Sequence, residues 1–506
     1  MLQSLPLELL IHVGSFCDSP QLHSLALVNH SFYDIFNPCL YKHNVLYDHP
    51  TAASVLWAAE AGSLGTLKIA IAHGADINTT GASSEYMVWQ TAKDEPLSGE
   101  LYATPLHLAV DNGHEDIVRW LLENGARVNI PAFGLCDCNL PHDPSDIPRD
   151  VWYPVHYAIF HNYSDSMLRL LLQHRAVWST IVYPVIADAI ADSNISAINI
   201  IMQDDAFDPE YRDQSGYTAM HFVSVCEDLD TVGEITQKLV DRGVPLDAVS
   251  NHGTALNMMV RDSKFKHAIA LLECGADPTA DPEEEGGAGL GIIDRIFDQE
   301  NEDGNEFNLL RKRPHTTEEQ RQDRRRLLEL VIAGGADVNR VLGQGNPPLT
   351  RPLHWALLES RDVECVRILL DAGARIEDAF VHNDSDSEGL LRAFFSADTG
   401  YISINLEDDT EEALEPYKES LKLVLERGAR IDALENIGFS ALDEVCGLDY
   451  YDKGIWNLEF LVEHATSRNV RVEFIEEFME EFWEENVEIY ALLEQLHEKL
   501  INEKNG

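Results

Sequence analysis

Gly125-Ala126-Arg127-Val128-Asn129, preceded by Ile117-Val118-Arg119-Trp120-Leu121-Leu122, is the stretch whose reading decides the fold. The leucine-rich segment puts apolar residues on one helical face. The glycine ends that helix, because it adopts the left-handed conformation at little cost. Nearly the same ending recurs at Gly74-Ala75-Asp76-Ile77-Asn78, Gly335-Ala336-Asp337-Val338-Asn339, Gly373-Ala374-Arg375-Ile376-Glu377 and Gly428-Ala429-Arg430-Ile431-Asp432, with Gly275-Ala276-Asp277-Pro278 as a close variant. A stop signal that returns after the same apolar helix predicts one helical unit used repeatedly. Two short helices cannot bury their apolar faces alone, so the copies must stack.

The other half of the unit is Thr104-Pro105-Leu106-His107-Leu108-Ala109. Threonine is the expected N-cap, and proline suits the first helical position because its missing N–H has no helical partner there. Degraded copies stand at Tyr153-Pro154-Val155-His156-Tyr157-Ala158, Thr218-Ala219-Met220-His221, Thr254-Ala255-Leu256-Asn257, Arg351-Pro352-Leu353-His354-Trp355-Ala356 and Ser440-Ala441-Leu442-Asp443. The two marks together resemble the ankyrin repeat, with its T-P-L-H helix start and period of about 33 residues.

The 506 residues carry 37 basic against 87 acidic side chains, a net charge of −50. Such a surface repels phosphate backbones and anionic lipid, which argues against nucleic acid and membrane surfaces as partners and favours a basic protein partner, although acidity also serves solubility. A hydrophobic share of 45% is enough for a core. The 8 cysteines are scattered through helical patterns, as reduced thiols are in a cytoplasmic or nuclear protein. No secretory signal stands at the amino terminus, and no apolar run nears the ~18 residues of a membrane span. The expectation is a soluble intracellular chain.

Residues 1–45 depart from the repeat. Ser4-Leu5-Pro6-Leu7-Glu8-Leu9-Leu10-Ile11-His12-Val13-Gly14-Ser15-Phe16 reads as a capped amphipathic helix, Asp18-Ser19-Pro20 breaks it, and a second helix starts at Gln21 and ends near Ser31-Phe32-Tyr33. So short a set holds more apolar residues than it can bury, and it needs the array behind it or a partner in front. The Leu5-Pro6-Leu7-Glu8-Leu9 start, the Asp-x-Pro break and the aromatic pair Phe32-Tyr33 closely resemble the F-box. Two departures are Phe32, where that family often has tryptophan, and Asn29-His30, where a basic or cysteine-containing pair is common. The resemblance implies docking on a Skp-type adaptor of a cullin–RING ubiquitin ligase. It assigns the adaptor-facing positions to Leu5, Pro6, Glu8, Leu9, Val13, Leu22, Leu25 and Val28. The plainer reading is a helical cap on the array.

The fold class expected is all-α: the F-box-like module, an ankyrin solenoid over 51–465 of about ten units, several degenerate, and acidic capping helices over 471–504. Insertions near 79–101 and 130–151 fall between units, and those near 300–322 and 397–416 fall between the two helices of one unit. All read as loops. In ankyrin arrays, partners bind finger tips and first-helix residues. The resemblance places these at Glu60, Leu101, Ala103, Asp111, Asn112, His161, Tyr217, Val225 and Glu359. The tail from Phe474 to Leu500 has helical apolar spacing opposite a run of glutamates, which reads as a cap or as an acidic surface for a basic partner.

Four stretches of the sequence could carry chemistry. Cys136-Asp137-Cys138 with His142 lacks zinc-site spacing and a fourth ligand, so no metal is expected. His107, His156, His221 and His354 recur at one position of each unit, which points to structure over catalysis. The glycines of 286–291 have no leading strand and no following lysine, so a phosphate loop fails. Arg311-Lys312-Arg313 and Arg324-Arg325-Arg326 read as a solvated insertion and a helix start, or as an import signal. The chain is therefore expected to have no cofactor and no catalysis of its own. F-box and ankyrin repeats together imply a ligase substrate receptor; the alternative is an ankyrin scaffold outside any ligase.

Overall fold

The computed structural model describes residues 5–47, 53–81, 103–133, 151–161, 164–174, 185–213, 215–280, 291–297, 317–340, 352–359, 362–376, 391, 395, 411–433, 440–447, 453–482 and 487–505. They fall into two compact units, Met1–Pro245 and Leu246–Gly506.

The first unit opens with helices Leu7–Gly14, Ser19–Ala26 and His30–Tyr47. Helix pairs follow: Ala53–Glu60 with Leu64–Ala72, Pro105–Asp111 with Glu115–Glu123, Pro154–Phe160 with Asp165–Gln173, and Val185–Ala191 with Ile195–Gln203. The first helix of each pair packs on the first helix of the next. The last position in this row is a 3-10 segment, His221–Val225, followed by helix Val232–Asp241.

That segment corrects the expectation of an α-helical start at Thr218. Its bonds run from residue i to i−3, as from Val223 to Met220 and from Cys226 to Val223, and Ser224 Oγ donates to the His221 carbonyl at 2.9 Å. β-Branched Val223 and Val225, with a serine that competes for backbone acceptors, favour the tighter turn.

In the second unit the pairs are Ala255–Arg261 with Phe265–Glu273, Ile292–Phe297 with Glu318–Ala333, Pro352–Glu359 with Val363–Asp371, and Ala441–Gly447 with Lys453–His464. Helix Glu411–Glu426 packs on Val363–Asp371. Helices Val472–Phe482 and Val487–Asn505 pack on each other, and the latter also covers Lys453–His464. Two expected loops are shorter than read. Helix Glu318–Ala333 begins inside 300–322 and helix Glu411–Glu426 inside 397–416. Thr317 starts the former with a full capping box, its side chain accepting from Gln320 N–H at 3.2 Å.

The stop signal is visible atom by atom. Gly125 has φ +96°, its N–H reaches the Leu122 carbonyl at 3.3 Å, and Ala126 N–H reaches back to Leu121 at 2.9 Å. This is the paired closure that ends a helix through a left-handed residue. Gly243, outside the six motif copies, does the same. Successive turns are then laced together. Asn78 Oδ1 accepts from Arg127 N–H at 2.8 Å, Asn339 Oδ1 from Arg375 N–H at 2.8 Å, and Asp247 Oδ1 from Asp277 N–H at 2.9 Å. The final polar residue of the motif is thus the rung between neighbouring repeats. Short antiparallel pairings, Gly81 with Ala103 and Phe133 with Val151, close the bases of the first two insertions, whose bodies lie outside the described residues.

Candidate protein-binding surfaces

The N-terminal module buries Leu10, Leu22, Ala26, Phe32 and Phe36, with the two phenyl rings edge-to-face at 5.3 Å. Asp18 accepts from Gln21 N–H at 2.9 Å while Gln21 accepts from Asp18 N–H at 3.1 Å, and Asn29 caps the third helix through Phe32 N–H at 2.9 Å. With the core this small, Leu5, Leu7, Leu9, Ile11, Phe16, Leu27, Val28 and Tyr33 are left exposed, Phe16 at 79%. Of the adaptor-facing positions, Leu5, Pro6, Glu8, Leu9 and Val28 are exposed, and Val13 and Leu25 are half-buried. Leu22 is a correction: at 1% exposure it is the centre of the module's own core and cannot meet a partner.

The module is joined firmly to the first repeat. Helix His30–Tyr47 packs on both Ala53–Glu60 and Leu64–Ala72. Asn44 Oδ1 accepts from Ser54 N–H at 3.2 Å and Ser54 Oγ at 2.6 Å, and the Tyr41 and His73 rings stack at 6.2 Å.

The first-helix row carries the other predicted site. His161 Nε2 donates to Asp111 Oδ1 at 2.9 Å, and His114 Nε2 donates to the Glu60 carbonyl at 2.9 Å, so these loops touch across repeats. Asn112 is exposed, its Nδ2 donating to the Leu108 carbonyl at 2.9 Å. Tyr217 is half-buried and stacks on His221 at 5.2 Å, and Val225 is exposed. Ala103 is a correction: it is fully buried beneath its bridge to Gly81, so its side chain offers no contact surface. Glu359 closes helix Pro352–Glu359, but its side chain and all of Leu101 lie outside the described residues. Trp57, Phe160 and Leu229 were not foreseen. Trp57 and Phe160 sit in apolar helical patterns that read as core, and Leu229 in the acidic loop Glu227-Asp228-Leu229-Asp230; the packing leaves all three exposed.

The repeated histidines act within their own turns. His107 Nδ1 accepts from Thr104 N–H at 3.2 Å, His156 Nδ1 from Tyr153 N–H at 3.0 Å, and His221 Nδ1 from Thr218 N–H at 3.0 Å. Where histidine is replaced, a carboxylate does the same: Asp294 Oδ2 accepts from Gly291 N–H at 3.1 Å and Asp443 Oδ2 from Ser440 N–H at 2.5 Å. His107 also meets the Tyr157 ring of the next repeat edge-on at 5.9 Å. His354 lies in helix Pro352–Glu359, with its side chain outside the described residues.

Cys136, Cys138, Arg311-Lys312-Arg313 and the glycines before Gly291 also lie outside the described residues. Among those described, no cluster of His, Cys, Asp and Glu is placed to hold a metal, and no helix is long and apolar enough to cross a membrane. Arg324-Arg325-Arg326 is a packing element. Arg324 is buried over the Phe265 ring, Arg325 forks onto buried Asp362, and Arg326 faces Glu273 and Glu329. Asp362 was missed because its partner stands 37 residues away.

The ankyrin-repeat family model matches residues 102–132 and 351–379. A putative ankyrin repeat protein of Rickettsia bellii (strain RML369-C) is 30% identical over 145 residues, covering 26% of this chain and 52% of the relative. The chain thus spans about half the length of that curated relative. Among solved structures, the human ASB11 ankyrin repeat domain is similar at 18% identity and a TM-score of 0.34, covering 52% of this chain and 100% of that one. EF0377, an ankyrin repeat protein, is similar at 18% identity and a TM-score of 0.30, over 43% of this chain and 96% of that one. The helix starts, the glycine stops and the family match agree: this chain carries ankyrin repeats.

Proposed function

We propose that the chain is a protein-binding scaffold and, more specifically, the substrate receptor of a cullin–RING ubiquitin ligase. In this reading the N-terminal module docks a Skp-type adaptor and the repeats hold the protein to be modified. The observation that supports the docking role is the exposure of Leu5, Leu7, Leu9, Ile11, Phe16, Leu27, Val28 and Tyr33 on one small three-helix module. So many exposed apolar side chains on so small a module are costly in water and point to an interaction site. The joint through Asn44 and Tyr41 suits the role, since it ties the docking face to the first repeat. Holding substrate and conjugating enzyme together raises their local concentration, so the chain itself needs no chemistry.

The scaffold reading without a ligase is favoured by the family match, which falls wholly in the repeats. Co-purification separates the two. Wild-type chain should retain a recombinant Skp-type adaptor, and Leu9→Asp with Val28→Asp should lose it, because an unpaired carboxylate in an apolar contact costs several kcal/mol. Both residues are exposed, so the variant should stay folded. Adaptor retention by that variant, or none by the wild type, would leave only the scaffold.

A further inference from the structure

Unit Met1–Pro245 divides its charges by position. Its first helices and the loops after them, residues 53–63, 103–114, 153–161, 185–194 and 218–231, contain Glu60, Asp111, Asp188, Asp192, Glu227, Asp228 and Asp230 but no lysine or arginine. The cations among this unit's described repeat residues all stand elsewhere. Lys68, Arg119, Arg169 and Lys238 are on second helices, and Arg127, Arg212 and Arg242 are in turns. The second unit does not share this segregation, since Arg261 and Arg295 stand on its first helices.

The same row is unusually apolar at its surface. Beyond the N-terminal module, the large hydrophobic residues exposed among the described residues are Trp57, Phe160, Val225, Leu229, Val249 and Val487, and the first four lie on this row. The row is physically continuous within the unit. His114 bonds the Glu60 carbonyl and His161 bonds Asp111; Glu227 N–H donates to the Ala191 carbonyl at 3.3 Å and Asp228 N–H to Ser193 Oγ at 3.2 Å. Burial, then the neighbouring Glu227 carboxylate, holds the Asp192 carboxyl above its ordinary range. A cation arriving there relieves that crowding.

We infer that this row receives an extended, Lys/Arg-rich protein segment with apolar anchor residues, a substrate class that rests on the protein-binding reading above but not on the ligase. Packed helices repeat every 8–10 Å or so and an extended chain rises about 3.3 Å per residue, so anchors recur at about every third position. Apolar side chains of the segment meet Trp57, Phe160 and Val225, and its cations meet Asp111, Asp192 and Glu227. Nucleic acid is repelled by the same carboxylates.

The test uses the 506-residue chain and three fluorescein-labelled synthetic peptides with leucine at every third position, the intervening residues being arginine, glutamine or glutamate. Fluorescence anisotropy should show the arginine peptide binding at least about tenfold tighter than the glutamine peptide, and weakening by about tenfold between ~50 and ~300 mM salt. Phe160→Ser with Asp192→Asn and Glu227→Gln should lose this binding while keeping the wild-type melting profile. Glu123→Gln with Glu234→Gln removes two carboxylates from second helices and should retain it. Equal binding of all three peptides, or equal losses in the two variants, overturns the inference. Adaptor co-purification reads the ligase separately, so either result can fail while the other stands.

Discussion

Asp432 and Arg471 are tied twice through one oxygen. The backbone N–H and Nε of Arg471 donate to Asp432 Oδ2 at 3.0 and 2.8 Å, and Arg430 forks onto the same buried carboxylate. Burial by itself would raise this carboxyl, but the hydrogen bonds from Arg471 and Arg430 outweigh it and hold its pKa below the ordinary value. Because the folded-state value is the lower one, the stabilisation is present above the unfolded value of about 3.9 and is lost as pH falls through the folded value. Asp432→Asn should therefore be less stable than wild type at neutral pH and lose less stability on acidification. Denaturant unfolding at stepwise pH measures this, and identical pH slopes for the two proteins would contradict it.

Asp362 combines a helix cap with a buried ion pair. It accepts from Glu364 N–H at 3.1 Å, and Arg325 Nε and Nη2 reach its two oxygens at 2.8 and 2.9 Å. Arg325→Met removes that forked ion pair from a buried carboxylate, and should cost about 3 kcal/mol in chemical denaturation. Burial and then Asp362 push the neighbouring Cys365 thiol far up, so it should resist alkylation until the chain unfolds.

His107 is fully buried, and its Nδ1 takes the Thr104 N–H. Replacing it with alanine orphans that donor and should cost about 1–3 kcal/mol. His107→Asp should cost less, because Asp294 and Asp443 already fill this role at equivalent positions. A thermal-shift series over the two variants decides it: equal losses would show that the cap bond contributes little.

Ser263 holds φ +57° in the loop where Gly62 and Gly113 stand in other repeats. A left-handed serine is strained by roughly 1 kcal/mol relative to glycine. Ser263→Gly should accordingly raise stability by up to about 0.5 kcal/mol, once the extra freedom glycine has when unfolded is subtracted. A drop in unfolding midpoint would show that the serine makes a contact worth more than the strain.

In the N-terminal module, two leucines of similar sequence context should part company. Leu22→Ala empties a packed position and should cost about 2–5 kcal/mol, seen as rapid proteolysis within residues 5–47. Leu9→Ala, at a residue 49% exposed, should leave the cleavage rate near wild type. Equal sensitivity would mean that the module's core is not the one formed by Leu10, Leu22 and Phe36.

What the sequence determined alone is everything decided within about four residues. The glycine stops at Gly74, Gly125 and Gly335, the Thr104 and Thr254 caps, and the structural service of His107 follow from backbone conformation and near-neighbour hydrogen bonds. Those are legible because donor, acceptor and apolar face lie in one turn of chain. Tertiary structure alone decided which apolar residues stay outside and which charges meet. Leu9 and Leu22 follow the same helical pattern, yet only the packing of Ser19–Ala26 against His30–Tyr47 sends Leu22 inward. Trp57 and Phe160 read as core and face solvent, while Arg324 reads as solvated and is buried. Asp362 finds Arg325, and Asp432 finds Arg471, because stacked repeats bring distant turns within 3 Å, a separation no local pattern encodes.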